Sequence, residues 1–232
     1  MSKYLCIIPA RGGSKRIPKK NTKKFLGEPI ISYSINIAIE SGLFTEIMVS
    51  TEDHEIAEIA LQLGAKVPFF RSLKNAGDFS TTVDVLLEVI HSYEIIGKTF
   101  DYICCIYPTA PFISNEKLKL GLEKLKFENR STIFPVISFS YPIWRGLRET
   151  KSNTVEFVWP KYVHTRSQDL EYIYHDAGQW YWCNVFDLKR EKNIFTRNSS
   201  VIKLQPNEVQ DIDNITDWEI AELKYKCLKG LI

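Results

Sequence analysis

Five basic side chains, Arg11, Lys15, Arg16, Lys19 and Lys20, fall within eleven residues and are interleaved with Gly12, Gly13 and Ser14. An apolar run from Tyr4 to Ile8 precedes them and breaks at Pro9. A buried strand that ends in such a loop offers backbone N–H groups and cations to an anion. The anion expected there is a nucleoside triphosphate. Glycines at 12 and 13 would let the backbone approach a phosphate chain closely, with Arg11, Lys15 and Lys20 neutralising it. The segment is not a Walker A sequence, because Gly12-Gly13-Ser14-Lys15 lacks a glycine separated by four residues from a GK[ST] triplet, and it is not G-x-G-x-x-G either. A P-loop kinase is therefore disfavoured. The bland alternative is a solvated basic loop between a strand and a helix.

A second candidate group lies near the other end of the chain, in Asp211-Ile212-Asp213. Carboxylates spaced i and i+2 in an extended strand share a face, so both can reach one metal centre. Aspartate is also common in turns before a helix, and a surface turn is the competing explanation.

The elements that must position these groups alternate β-branched runs with helix-period segments, the pattern of an α/β sheet flanked by helices. Leu5 to Pro9 reads as a central first strand, and Pro29 to Gly42 as a largely buried helix. Ile47 to Ser50 is a strand, Asp53 to Leu63 an amphipathic helix stopped by Gly64, and Lys66 to Phe70 a short strand. Ser80 is expected to cap a helix carrying Val83, Leu86, Leu87 and Ile90 at helical spacing. A strand from Tyr102 to Tyr107 runs into Pro108-Thr109-Ala110-Pro111, and a helix from Ser114 leads to a strand at Thr132 to Ile137. From Ser138 the helical period disappears until about residue 214, and aromatic residues become dense. Residues 139–176 read as an insertion of irregular structure and short strands outside the main sheet. Its aromatic surface suits a subunit interface, or else a small core of its own. Ala177 to Asp187 and Val201 to Leu204 read as strands. Thr216-Asp217-Trp218-Glu219 looks like a capping box opening a final helix that ends near Cys227.

Composition narrows the class. With 232 residues, 44% of them hydrophobic and 25% charged, the chain can bury one large core. A net charge of +2 is too small to make nucleic acid the expected partner, so the basic loop is a placed cluster. No apolar stretch approaches the roughly 20 residues needed to cross a bilayer, and no membrane role is expected. The N-terminus resembles no secretory leader. The five cysteines form no C-x-x-C pair. A reducing cytoplasm is the expected location.

Pro9-Ala10-Arg11-Gly12-Gly13-Ser14-Lys15 through Ile17-Pro18-Lys19-Lys20-Asn21 closely resembles the signature loop of the cytidylyltransferases that activate nonulosonic acids, nine-carbon sugar acids of the sialic-acid type. Val49-Ser50-Thr51-Glu52-Asp53, Val67-Pro68-Phe69-Phe70-Arg71, Pro108-Thr109-Ala110-Pro111 and Asp211-Ile212-Asp213 resemble further blocks of that family, in the expected order over the full length. The resemblance implies a Rossmann-like nucleotidyltransferase sheet, with a core at 1–138 and 177–232 and a dimerisation and sugar-capping insertion at 139–176. It implies a homodimer, CTP as co-substrate, Mg²⁺ as cofactor, and a product pair of CMP-sugar and pyrophosphate. Carried onto this chain, Arg11, Gly12, Gly13, Ser14, Lys15, Lys20 and Asn21 would hold the triphosphate and cytidine. Arg71, Thr81 and Thr82 would add nucleotide contacts, and Asp211 and Asp213 would bind the metal. Arg11, Lys20 and Asp211 are the expected catalytic residues.

The sugar is read from a different stretch. Arg166-Ser167-Gln168-Asp169 and Tyr174-His175-Asp176-Ala177-Gly178-Gln179 depart from the sialic-acid pattern and resemble the pseudaminic acid branch of the family. Tyr107, where sialic-acid enzymes usually carry a ligand-contacting glutamine, points the same way and is an expected substrate contact. Arg166 suits a sugar carboxylate, because guanidinium binds carboxylate bidentately. Gln168, His175 and Gln179 would serve acetamido and hydroxyl groups, although His175 is equally a structural hydrogen bonder. N-acetylneuraminic or legionaminic acid is the alternative acceptor. An eight-carbon acid is disfavoured by the Gly-Gly-Ser-Lys run. A non-catalytic nucleotide-binding homologue is the rival of another class.

Overall fold

The apolar run before the basic loop forms β1, Tyr4–Pro9, in which Leu5, Cys6, Ile7 and Ile8 are fully buried. Burying each aliphatic side chain of this kind contributes about 1.5–3 kcal/mol. The chain, described over residues 2–231 by a computed structural model, then makes a small hairpin of β2 (Lys24–Phe25) and β3 (Glu28–Pro29). Leu26 and Gly27 turn it, both at positive φ, as tight hairpins require. There follow α1 (Ile30–Glu40), β4 (Glu46–Ser50), α2 (His54–Gln62), α3 (Leu73–Ala76), α4 (Thr82–Ile95), β5 (Tyr102–Ile106), α5 (Asn115–Phe127) and β6 (Thr132–Ser138). The later part adds β7 (Leu147–Glu149), β8 (Val155–Phe157), β9 (Tyr174–Asp176), β10 (Trp180–Asn184), α6 (Val185–Glu191), β11 (Ser199–Lys203) and α7 (Ile215–Leu228).

The main sheet runs β11-β6-β10-β5-β1-β4, with β9 paired to the end of β6. β1 is parallel to both β4 and β5, and β6 is parallel to β11, while β10 lies antiparallel between β5 and β6. Alternation along β1 sorts side chains to the two faces. Cys6 and Ile8 join Ile31, Ile35, Ile56, Leu118, Trp180 and Trp182 on one side. Leu5 and Ile7 join Leu86, Val89, Tyr93, Tyr181 and Cys183 on the other. A third cluster packs α7 on the hairpin and the basic loop through Ile17, Phe25, Phe112, Ile212 and Trp218.

Several expectations shift. β1 is buried on both faces but stands one strand from the edge, beside β4. Ile39 on α1 is exposed, so that helix is covered on less than its whole circumference. Lys66 to Phe70 is not a strand: Lys66 makes a single bridge to Met48, and Pro68 has no N–H to continue it. Thr81, not Ser80, caps α4, exchanging bonds with Asp84 in a capping box. The apolar run after Ala177 is strand only to Asn184, whose side chain caps α6 by accepting from the Asp187 N–H. The last helix is capped by Asn214 with Asp217, two residues before the Thr216 expectation. Within residues 139–176, the β7–β8 hairpin stands apart from the main sheet, whereas β9 belongs to it.

Candidate active site

The basic loop leaves β1 at the C-terminal ends of the parallel strands, where α/β sheets place their ligand crevices. Its shape is set by the neighbouring strand–helix turn. The Gly12 N–H donates to Glu52 Oε1 at 2.7 Å. A Cβ on Gly12 would lie 2.3 Å from Asp53 Oδ2, while one on Gly13 would meet nothing within 4 Å. Asp53 is held there as the N-cap of α2, accepting from the N–H groups of Glu55 and Ile56. Glycine at 12 is thus demanded by a helix cap, a reason the sequence alone did not disclose. Asn21 is buried and its amide donates to the Arg11 carbonyl at 2.8 Å, so it closes the loop on itself.

Two adjoining cavities open on this loop. The larger, about 420 Å³, is lined by Arg11, Ser14, Lys15, Lys20, Asn21 and Tyr107 among others. The smaller, about 190 Å³, is lined by Arg11, Arg71, Asp78, Thr81, Thr82 and Tyr107 among others. Arg11 and Tyr107 line both. Arg71 is buried and fixed to Ser50, its Nε donating to Oγ at 3.0 Å and its Nη2 to the carbonyl. Burial pulls its pKa down against the opposing charges of Glu52 and Glu88. Burial pushes the Tyr107 phenol up to about 12, so it stays neutral and shares a hydrogen bond with Thr82 Oγ1 at 2.9 Å. A wider groove of about 750 Å³ at the opposite ends of the strands is lined by Phe100, Phe186, Lys189 and Arg190 and holds none of the candidate residues.

The late carboxylates meet the loop. Lys20 Nζ donates to the Ile212 carbonyl at 2.7 Å, between Asp211 and Asp213. Its pKa is lowered by burial, which outweighs the attraction of both carboxylates. Arg16 pairs with Asp213 at 2.7 Å. Desolvation by the surrounding protein, then repulsion from Asp213, holds the Asp211 carboxyl above its ordinary range. Among the described residues no cluster of three or more His, Cys, Asp or Glu side chains is arranged for a metal. One functional neighbour escaped the sequence reading: Asp78, whose carboxylate binds Arg11 at 2.9 Å and Lys15 at 2.5 Å. A lone acid in a Gly-Asp-Phe loop carries no motif that would announce it.

The residues expected to hold the sugar are not all brought to the cleft. Arg166 is exposed and paired with Asp169 at 2.7 Å. Gln168 and His175 are exposed as well, with His175 Nδ1 2.9 Å from the Asp176 carbonyl oxygen. None of the three lines either cavity. Gln179 is buried, and its amide donates to the Glu208 carbonyl at 2.6 Å. That bond ties the start of β10 to the turn before Val209.

A cleft with three convergent cations at the strand ends, and two carboxylates against them, can hold a polyphosphate and a divalent cation together. Comparison with known proteins bears on the nucleotide. A family model described as cytidylyltransferase matches residues 5–211. A pseudaminic acid cytidylyltransferase from Campylobacter jejuni is 43% identical over 97% of both chains. A CMP-N,N'-diacetyllegionaminic acid synthase from Legionella pneumophila is 30% identical over 95% of both. In fold, the chain is similar to a CMP:2-keto-3-deoxy-manno-octonic acid synthetase solved with CTP, at a TM-score of 0.69 and 16% identity, covering 96% of this chain and 98% of that one. The loop and the sheet lie within the matched residues, with Asp211 at their end, and the chain belongs to the cytidylyltransferase family.

Proposed function

We propose that the protein couples CTP to pseudaminic acid, giving the CMP-sugar and pyrophosphate. The observation that carries this is the full-length 43% identity to a relative bearing that activity in its name. The cation-lined cleft supports the CTP half of the reaction independently. The anomeric hydroxyl of the sugar acid attacks the α-phosphorus and gives up its proton to water, the bond from the α-phosphorus to the α,β-bridging oxygen breaks, and pyrophosphate leaves. Arg11, Lys15 and Lys20 would gather the triphosphate and offset the charge that grows on the departing oxygens. Ser14 and Asn21 would order the loop against the nucleotide, and Arg71, Thr81 and Thr82 would form the far wall of the smaller cavity.

Asp211 and Asp213 fit a magnesium ion. They are hard oxygen donors two residues apart, and the Asp211 carboxyl is held above its ordinary range first by desolvation and then by the Asp213 charge. Two carboxylates without a third protein ligand leave room for phosphate oxygens and water, the usual manner of holding this ion. Bound there, magnesium would stabilise charge on the phosphoryl oxygens. The protein's part is to hold both carboxylates beside the Lys20 ammonium, which donates to the Ile212 carbonyl between them.

A homodimer is proposed on two grounds. Arg166, Gln168 and His175 lie outside the cleft of their own chain, and Tyr141, Leu147, Val155 and Tyr172 of the same segment are exposed apolar or aromatic groups. A second copy that lays its segment over the cleft would deliver the former and cover the latter. The cytoplasm is the proposed compartment, which suits five unpaired cysteines.

Purified protein incubated with CTP, Mg²⁺ and a panel of nonulosonic acids tests the whole proposal. CMP-pseudaminic acid and stoichiometric pyrophosphate are expected. Turnover of legionaminic or N-acetylneuraminic acid in its place would move the protein to a sister specificity. No turnover of any acid would leave a nucleotide-binding homologue without chemistry.

A further inference from the structure

Arg11 and Lys15, two cations assigned above to the triphosphate, are bound by one carboxylate. Asp78 Oδ1 lies 2.9 Å from Arg11 Nη1, and Oδ2 lies 2.5 Å from Lys15 Nζ. One side chain thus bridges a guanidinium and an ammonium with its two oxygens, as a phosphate group would. Arg11 lines both cavities, so its counter-charge stands at their junction. We propose that Asp78 competes with the nucleotide's phosphates for Arg11 and Lys15, and so weakens CTP binding and speeds pyrophosphate departure. This rests on the CTP reading of the cleft.

The segment around Asp78 is built to give way. On its N-terminal side Ser72 and Asn75 are tied to Glu88, and on its C-terminal side Thr81 is tied to Asp84 in the cap of α4. Between these anchors the Phe79 ring is wholly exposed, and Ser80 Oγ bonding to the Lys74 carbonyl is a local tie. Withdrawing Asp78 therefore disturbs no core packing. The pairs it would release are themselves open to water, with Asp78 at 42% and Lys15 at 79% side-chain exposure, and pairs so exposed are weak. A polyphosphate brings more charge and more acceptor oxygens to the same two cations and displaces the carboxylate. Hydrogen bonding and attraction from Lys15, followed by Arg11, keep the Asp78 carboxyl below its ordinary range, so the competitor is ionised at neutral pH.

A purely structural role predicts the opposite sign. If Asp78 ordered the loop for the nucleotide, removing its charge would weaken binding. Titration calorimetry of CTP with Mg²⁺, without sugar, separates the two for wild type, Asp78→Asn and Asp78→Ala. Competition predicts binding tighter by about three- to tenfold in both variants, with product inhibition by pyrophosphate strengthened by a similar factor and Asp78→Glu near wild type. Thermal unfolding of each variant guards against misfolding. Unchanged or weaker CTP binding by folded Asp78→Asn and Asp78→Ala overturns the proposal and leaves the CTP reading standing. Failure of wild type and variants alike to bind CTP overturns both.

Discussion

The ammonium of Lys20 donates to the carbonyl oxygen of Ile212 at 2.7 Å, joining loops 192 residues apart. Ile17 from the first loop and Ile212 from the last share one apolar cluster with Phe25 and Trp218, so the clasp is apolar beneath and polar above. The basic loop and a carboxylate pair that are distant in sequence are in this way tied together.

Lys20→Met keeps much of the buried stem and removes the charge. We expect kcat/KM to fall by about 10²–10³-fold, the usual loss when one positioned stabilising donor is deleted. Lys20→Arg should restore little, because a planar fork cannot occupy a seat shaped for an ammonium that donates to one carbonyl. Steady-state kinetics on both variants decide this, and near-wild-type rates for Lys20→Met would assign the residue a structural role only.

Asp211→Asn and Asp213→Asn should each lower kcat by about 10²-fold or more, if both carboxylates serve the metal. Chelation of the wild-type enzyme should abolish turnover and added Mg²⁺ should restore it. Asp213→Asn also releases Arg16 from its 2.7 Å pair, so its CTP KM should change where that of Asp211→Asn does not. Wild-type turnover by both variants would remove the metal assignment.

Gly12 and Gly13 should respond differently to a single methyl group. Gly12→Ala collides with Asp53, and we expect a loss of about 1–3 kcal/mol in stability together with impaired CTP binding. Gly13→Ala faces open space and should melt like wild type. Equal melting temperatures for the two variants would show that the α2 cap yields freely.

Glu46 offers a test far from the cleft. Its buried carboxylate would be raised by desolvation, but Lys98, Tyr93 and Lys66 hydrogen-bond it and hold its pKa below the ordinary value. A depressed carboxyl pKa stabilises the fold above the unfolded chain's pKa and loses that contribution as pH falls through the folded value. Glu46→Gln should therefore cost about 1–2 kcal/mol at pH 7, with the gap to wild type closing below the ordinary glutamate range. Denaturant melts at several pH values measure it; a gap independent of pH would refute the charge-based account.

Strands such as β1 and helices such as α2 and α5 were legible because their apolar period and caps are local. The short α6 was not: Asn184 begins it directly where Trp180 to Cys183 dictate a strand, and seven residues carry too little period to be heard. The cavity-lining residues Arg11, Ser14, Lys15, Lys20 and Asn21 were legible as a run, since one loop delivers them all. Asp78 was silent because its meaning is a contact made across 63 and 67 residues. The tie made by Gln179 was silent for a related reason. Its amide donates to a carbonyl 29 residues further on.

The antiparallel β10 has a consequence for how the chain is made. β5 ends at Ile106, but the strand that covers its open edge, Trp180–Asn184, emerges from the ribosome only after the whole aromatic segment. Until then the β4-β1-β5 half of the sheet presents a bare edge, and β6 has no neighbour to join it to that half. Late-arriving, long-range pairings of this kind slow folding and expose nascent chains to association. Truncation anywhere before Trp180 should therefore yield an aggregating half-sheet, and the chain's vulnerable interval during synthesis ends with the arrival of β10.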